Sequence, residues 1–139
     1  MDLERTDKGV YITHFEIPES FIDQYNHVNY KRYAEIAEIG QDEYLASRGL
    51  SFEYIEKYYG LRSFVISFDQ VNFNQLFLGD KLDLLTGIEK FGNTSMSFGQ
   101  SAFKEDNRIF DFNLKVVLVN AEGKPTRIPN SIREQLLMV

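Results

Sequence analysis

The apolar positions from residue 29 to about residue 47 recur at helical spacings. The residues that share this face are Tyr30, Tyr33, Ala34, Ala37, Tyr44 and Leu45. Charged residues occupy the opposite side, so the segment is predicted to form an amphipathic helix. Gly40 lies on the apolar face, where a missing side chain lets another backbone approach closely. Gly49 is a typical stop after the last turn. We therefore expect one long helix packed deeply against the rest of the chain.

Strand patterns lie on both sides of this helix. Before it, residues 9–17 alternate, with Val10, Ile12 and Phe15 as apolar positions. After a short predicted helix over residues 51–59, four runs rich in aromatic and β-branched residues cover 61–73, 82–90, 95–104 and 110–118. Short turns separate them, which indicates antiparallel hairpins. The order predicts an α+β fold with about five strands, followed by a tail or short helix over 128–139.

Composition narrows the possible chemistry. The 139 residues fit a single domain, 1–139. With no cysteine and only His14 and His27, one chain offers neither a thiolate nor a His-rich metal site. A net charge of −6 argues against a general nucleic-acid binder. No apolar run is long enough to span a membrane. The charged start, residues 1–5, does not resemble a signal peptide, so we expect a cytoplasmic protein.

The segment from Asp23 to Tyr30 concentrates chemically useful side chains just before the long helix. It contains an acid, an imidazole at His27 and two asparagines, Asn26 and Asn29. A helix N-terminus presents unpaired N–H groups and a positive dipole end, which suit a developing oxyanion. A carboxylate beside it can activate water or attack a carbonyl itself. The simpler interpretation is that Asp23 or an asparagine caps the helix.

The chain resembles the 4-hydroxybenzoyl-CoA thioesterase-like family of hot-dog fold acyl-CoA thioesterases. The matching segments are Asp23 with Asn26-His27-Val28-Asn29-Tyr30, the aromatic Tyr33, Gly79-Asp80, the hairpin Gly92-Asn93-Thr94-Ser95, and Lys124-Pro125 through Ile128-Pro129. The resemblance spans nearly the whole chain and implies a long central helix wrapped by an antiparallel sheet. Asn26 stands where the family motif has a glycine, and asparagine tolerates a left-handed backbone at some cost.

The resemblance also implies a function and roles for particular residues. Asp23 corresponds to the catalytic carboxylate, as nucleophile or as general base, and the backbone N–H near Tyr30 polarises the thioester carbonyl. His27 either donates to the carbonyl, holds Asp23 or serves packing. Asn29, as a helix cap, and Tyr30 and Tyr33 are expected to line the substrate site.

The expected substrate is an acyl-CoA or an acyl-carrier thioester, with no metal and no cofactor beyond the CoA of the substrate. A homodimer or homotetramer is expected, because an exposed sheet edge is a liability in a monomer. Two alternatives stay open on the same scaffold. One is a non-catalytic module that binds acyl thioesters. The other is a hydratase or dehydratase, whose Asp-x-Asn-Pro-x-His pattern differs from the spacing of Asp23 and His27.

Overall fold

The computed structural model describes residues 9–137 as five strands, three α-helices and a short 3-10 turn at Glu19–Phe21. The strands are β1 (Tyr11–Glu16), β2 (Arg62–Asn72), β3 (Lys81–Phe91), β4 (Ser95–Lys104) and β5 (Asn107–Val119). The helices are α1 (Lys31–Ser47), α2 (Phe52–Tyr59) and α3 (Asn130–Leu137). The strands form one antiparallel sheet in the order β1-β3-β4-β5-β2. This arrangement confirms the predicted α+β hot-dog fold.

Two sequence predictions concern a signal peptide and a membrane-spanning segment. The prediction about a signal peptide concerns residues 1–5, which lie outside the described residues. Within residues 9–137, no helix combines the length and apolar character needed to cross a membrane.

Helix α1 packs on one face of the sheet through a stripe that differs in part from the predicted one. Its buried residues are Tyr33, Ile36, Ala37, Gly40, Gln41, Tyr44 and Leu45. The prediction for Tyr30 is wrong, because this residue precedes the helix and its side chain is 60% exposed. At Gly40 the close neighbours are side chains of the sheet and not the backbone that was expected: a Cβ there would lie 2.5 Å from Leu84 Cδ2 and 2.8 Å from Gln100 Nε2.

A buried layer of hydrogen bonds fixes α1 on the sheet at this point. Gln100 Nε2 donates to the carbonyl of Ala37 at 2.9 Å and to Thr86 Oγ1 at 3.0 Å. Gln41 Nε2 in turn donates to Gln100 Oε1 at 3.0 Å. Because unmade hydrogen bonds are costly in a core, this network specifies the position of the helix along the strands.

The pairing of β1 with β3 determines which of its residues face α1. Tyr11 pairs with Thr86 and Thr13 with Leu84, so the odd-numbered residues face α1. Ile12 points to the other side and is 38% exposed. Val10 and Ile12 have the opposite parity to Phe15, so the apolar positions of this short run could not all share one face.

Strand β2 forms an edge of the sheet and leaves many apolar side chains exposed. It pairs with β5 on one side only. Phe64, Ile66 and Phe68 are between 51% and 64% exposed. An unpaired edge of this length and apolar character is a template for pairing with another strand.

Candidate active site

A closed five-residue loop presents Asp23. A bridge between Ile22 and Val28 joins its ends. Asp23 Oδ1 accepts hydrogen bonds from the backbone N–H groups of Tyr25 at 2.9 Å and His27 at 3.4 Å. Asn26 has a φ of 67°, the left-handed conformation that the glycine of the family motif would adopt without strain. Asp23 therefore stabilises its own loop and does not cap α1.

The start of α1 leaves one backbone donor available. Asn29 Oδ1 accepts from the N–H of Lys31, the first residue of α1, at 3.0 Å, while the N-cap position itself is occupied by Tyr30, whose side chain makes no cap bond. The N–H of Tyr33 reaches the carbonyl of Tyr30 at 3.2 Å. Within residues 9–137, the N–H of Tyr30 has no hydrogen-bond acceptor. A free N–H at a helix start is the kind of group that stabilises an oxyanion.

One cavity of about 460 Å³ brings together all five residues named from the sequence. Asp23, His27, Asn29, Tyr30 and Tyr33 line it. Between the side chains, Asp23 Oδ2 and His27 Nδ1 are 3.7 Å apart. This separation is too long for a hydrogen bond, although it permits an ion pair when the imidazole is protonated. The cavity is thus lined by an acidic residue, a histidine and the residue whose backbone N–H is free.

The imidazole of His27 lies between two aromatic rings. It stacks against Tyr25 at a centroid distance of 6.1 Å and meets the edge of Phe77 at 6.5 Å. Tyr25 lines the cavity and is 70% exposed, and Phe77, outside the lining, is 44% exposed. These contacts restrict the ring orientation and are compatible with both a chemical and a packing role for His27.

Sequence analysis missed the opposite wall of the cavity. It is formed by the end of β2 and the residues that follow: Asn72, Phe73, Asn74 and Gln75. Three carboxamides within four residues were the available signal. Tyr33 connects the two walls, because its hydroxyl donates to the carbonyl of Asn74 at 3.3 Å. Burial raises the pKa of Tyr33, which keeps the hydroxyl protonated as a donor.

A second cavity of about 450 Å³ lies farther along the groove between α1 and β2. Ala34 and Glu38 contribute from the helix, and Val65 and Phe68 from the strand. Phe68 stacks on Phe112 at a centroid distance of 5.6 Å, which gives this cavity an apolar floor. The groove therefore offers an apolar chamber beyond the polar one.

The acidic side of the second cavity comes from α1. Asp42 lines it together with Glu38. Burial, and then repulsion by Glu38 and Glu53, raises the pKa of Asp42.

Comparisons with known proteins agree with this architecture. Residues 18–136 match the family model described as the thioesterase-like superfamily. No match is found among curated protein sequences. The structure is similar to a hypothetical protein from Aquifex aeolicus, with 23% identity and a TM-score of 0.85 over 91% of this chain and 98% of that one.

Two further solved structures are similar over most of their length. A 1,4-dihydroxy-2-naphthoyl-CoA thioesterase from Synechocystis shows 13% identity and a TM-score of 0.85, over 92% of this chain and 96% of that one. A hypothetical protein from Staphylococcus aureus in complex with CoA shows 19% identity and a TM-score of 0.83, over 91% of this chain and 81% of that one. Given the extent of the family match and the shared fold, this chain belongs to the thioesterase-like superfamily of hot-dog proteins.

Proposed function

We propose that the protein is an acyl-CoA thioesterase, which converts a thioester and water into a carboxylic acid and free CoA. The observation that carries the proposal is that Asp23 and Tyr30, whose backbone N–H has no acceptor among residues 9–137, line one cavity. Membership of the thioesterase-like superfamily supports it. The Synechocystis protein, named for a CoA thioester, and the Staphylococcus aureus protein, solved with CoA, favour CoA as the carrier.

The two oxygens of Asp23 have different tasks in this proposal. Oδ1 holds the loop through two backbone N–H groups. Oδ2 either removes a proton from water as the water attacks the carbonyl carbon, or attacks that carbon itself and forms an anhydride that water then hydrolyses. The Tyr30 N–H stabilises the oxyanion in both routes, and the carbon–sulfur bond breaks to release the CoA thiolate.

The groove between α1 and β2 accommodates the acyl group. Tyr33 forms part of the polar cavity, and its ring stacks on Phe110 at 4.8 Å, so the substrate meets a rigid aromatic wall. The apolar floor at Phe68 and Phe112 lies beyond. An acyl group that extends from the carbonyl site into this chamber removes apolar surface from water, which favours binding.

Replacement of Asp23 by asparagine tests the proposal. The amide oxygen of Asp23→Asn still accepts the two loop hydrogen bonds, so the loop is retained while the base or nucleophile is lost. With a panel of acyl-CoAs assayed for free thiol release, kcat is expected to fall on the order of 10²-fold or more. Asp106→Asn, in the turn between β4 and β5, is the matched control and retains activity.

Two outcomes would contradict the thioesterase proposal. A fully active Asp23→Asn variant would remove Asp23 from the chemistry. Saturable binding of acyl-CoA by the wild-type chain with no thiol release above background would instead identify a binding module.

We also propose that the chain forms a homodimer through the free edge of β2, with a tetramer as a further assembly. The exposed apolar residues on this 11-residue edge strand support pairing with a second copy. Phe64→Lys is expected to shift the protein toward monomer in size-exclusion chromatography with light scattering. Tyr58→Lys changes a comparably exposed aromatic residue on α2 and should leave the assembly intact. A monomeric wild-type chain would overturn this proposal.

A further inference from the structure

Gln70 connects the strand edge to the start of α1. Gln70 pairs with Phe112 in the register of β2 and β5, so its side chain lies on the face that α1 covers. Its Nε2 donates to the carbonyl of Tyr30 at 3.1 Å and to Asn72 Oδ1 at 3.0 Å. One primary amide thus holds both the residue with the free N–H and a wall residue of the cavity.

The backbone carbonyl of Tyr30 determines how both carboxamides are turned. A carbonyl oxygen only accepts hydrogen bonds, so the atom of Gln70 that faces it must be the nitrogen. The second hydrogen of Gln70 Nε2 points to Asn72. The Asn72 atom that accepts it must be Oδ1, because Nδ2 is a donor. Asn72 Nδ2 is therefore turned away from Gln70. The orientation of Asn72 follows from the main chain and not from an arbitrary choice of rotamer.

Asn72 Nδ2 is still able to donate a hydrogen bond, and Asn72 lines the same cavity as Asp23. Asp23, whose carboxylate can only accept, and Tyr30, whose N–H has no acceptor among residues 9–137, line the same cavity. A thioester carbonyl gains negative charge in the transition state, and a second donor next to the first stabilises that charge further. A carboxamide fixed in advance does so without reorganisation during the reaction.

We propose that Asn72 Nδ2 donates to the thioester carbonyl oxygen beside the Tyr30 N–H, and that Gln70 is the positioning residue that orients Asn72. This inference rests on the proposed thioesterase function. It makes β2 a contributor to the chemistry and assigns roles to two residues outside the Asp23–Tyr30 segment.

Three variants separate the donor from its positioning residue. Asn72→Leu removes the donor at similar volume, and kcat is expected to fall on the order of 10²-fold with little change in KM. In Gln70→Glu the new carboxylate can only accept hydrogen bonds. Asn72 should therefore turn its Nδ2 toward residue 70 and its Oδ1 toward the cavity, and a similar loss of kcat is expected. In the Asn72→Leu background Gln70→Glu should cost less than in the wild type, because only the loss of its hydrogen bond to the Tyr30 carbonyl remains. Asn120→Asp, in the turn after β5, also replaces an amide by a carboxylate and keeps the oxygen that accepts from Glu122 and Lys124; it is the control and should change kcat less than about threefold.

Side-chain amide NMR provides a readout that does not depend on turnover. A ketone analogue of the acyl-CoA, with a methylene in place of sulfur, should shift the Asn72 Nδ2 protons and slow their exchange with water in the wild type but not in Gln70→Glu. An analogue that binds without moving these protons overturns the inference even if thiol release is normal. Equal losses from Gln70→Glu with and without Asn72 also overturn it.

The same experiment distinguishes a failed inference from a failed function. Wild-type turnover that depends on Asp23 but not on Asn72 rejects the inference alone. No thiol release from any acyl-CoA rejects the thioesterase proposal, and the absence of any analogue binding then rejects the inference as well.

Discussion

Gly40 is expected to be the least replaceable position of α1. A methyl group at this position would lie 2.5 Å from Leu84 Cδ2 and 3.0 Å from Thr86 Oγ1. Carbon atoms in contact prefer separations of about 3.5–4.0 Å, so Gly40→Ala must move the helix or its neighbours by roughly 1 Å. Leu84 is fully buried and the Gln100 amide is bonded on both sides, so neither side chain can yield freely.

The size of the effect follows from three contributions. Overpacking costs about 1–3 kcal/mol. Stretching the hydrogen bonds from Gln100 to Ala37 and Thr86 costs about 1 kcal/mol each. The higher helix propensity of alanine stabilises the folded state by about 1 kcal/mol in the opposite direction. Gly40→Ala should therefore lower the free energy of unfolding by about 3 kcal/mol, measured by urea denaturation followed by circular dichroism.

Two controls isolate the cause. Ala46→Gly, at an exposed position of the same helix, should cost only the propensity difference of about 1 kcal/mol. Leu84→Ala combined with Gly40→Ala should lose less than the sum of the two single changes, because the first change makes room for the second. If Gly40→Ala is as stable as the wild type or more stable, the close contact between α1 and the sheet does not exist as described.

Two further predictions concern the acidic side of the groove and the loop of Asp23. Burial, and then repulsion by Glu38 and Glu53, raises the pKa of Asp42, so the folded chain binds the proton of this carboxyl group more tightly than the unfolded chain does. Above its folded pKa, ionised Asp42 therefore destabilises the fold. In urea denaturation over a series of pH values, Asp42→Asn should gain up to about 0.5 kcal/mol at pH 7, a small effect because the site is screened by solvent. The gain should vanish below the ordinary pKa of 3.8, and a gain that persists there would contradict this account. Asn26→Val should lower the free energy of unfolding by about 1–2 kcal/mol, because the left-handed φ of 67° is strained for a β-branched residue. Asn26→Gly should be at least as stable as the wild type. Equal stability of the two variants would contradict this account.

The sequence predicted most of the elements because their patterns are local. The run over 95–104 coincides with β4, and the helical pattern ends with α1 at Ser47. The Asp23–Tyr30 wall of the cavity was predictable for the same reason, since it lies within one segment. The phase of β1 was not predictable, because both of its faces carry apolar residues and the pairing with β3 decides between them.

The second wall of the cavity depends on long-range contacts. Asn74 meets Tyr33 across 41 residues of sequence, and Gln70 meets Tyr30 across 40. No spacing within a single sequence encodes such contacts. The carboxamides of this wall were visible as residues, but their relation to Asp23 follows only from the way β2 is placed against α1.

Strand β2 carries both the free edge of the sheet and the wall of the cavity that contains Asn72. A second chain that pairs with this edge therefore contacts the same strand that forms part of the cavity wall. A direct consequence is that the turnover per chain should depend on protein concentration. Diluted below the dissociation constant of the proposed dimer, the protein should lose activity while its circular dichroism spectrum is still that of the folded chain.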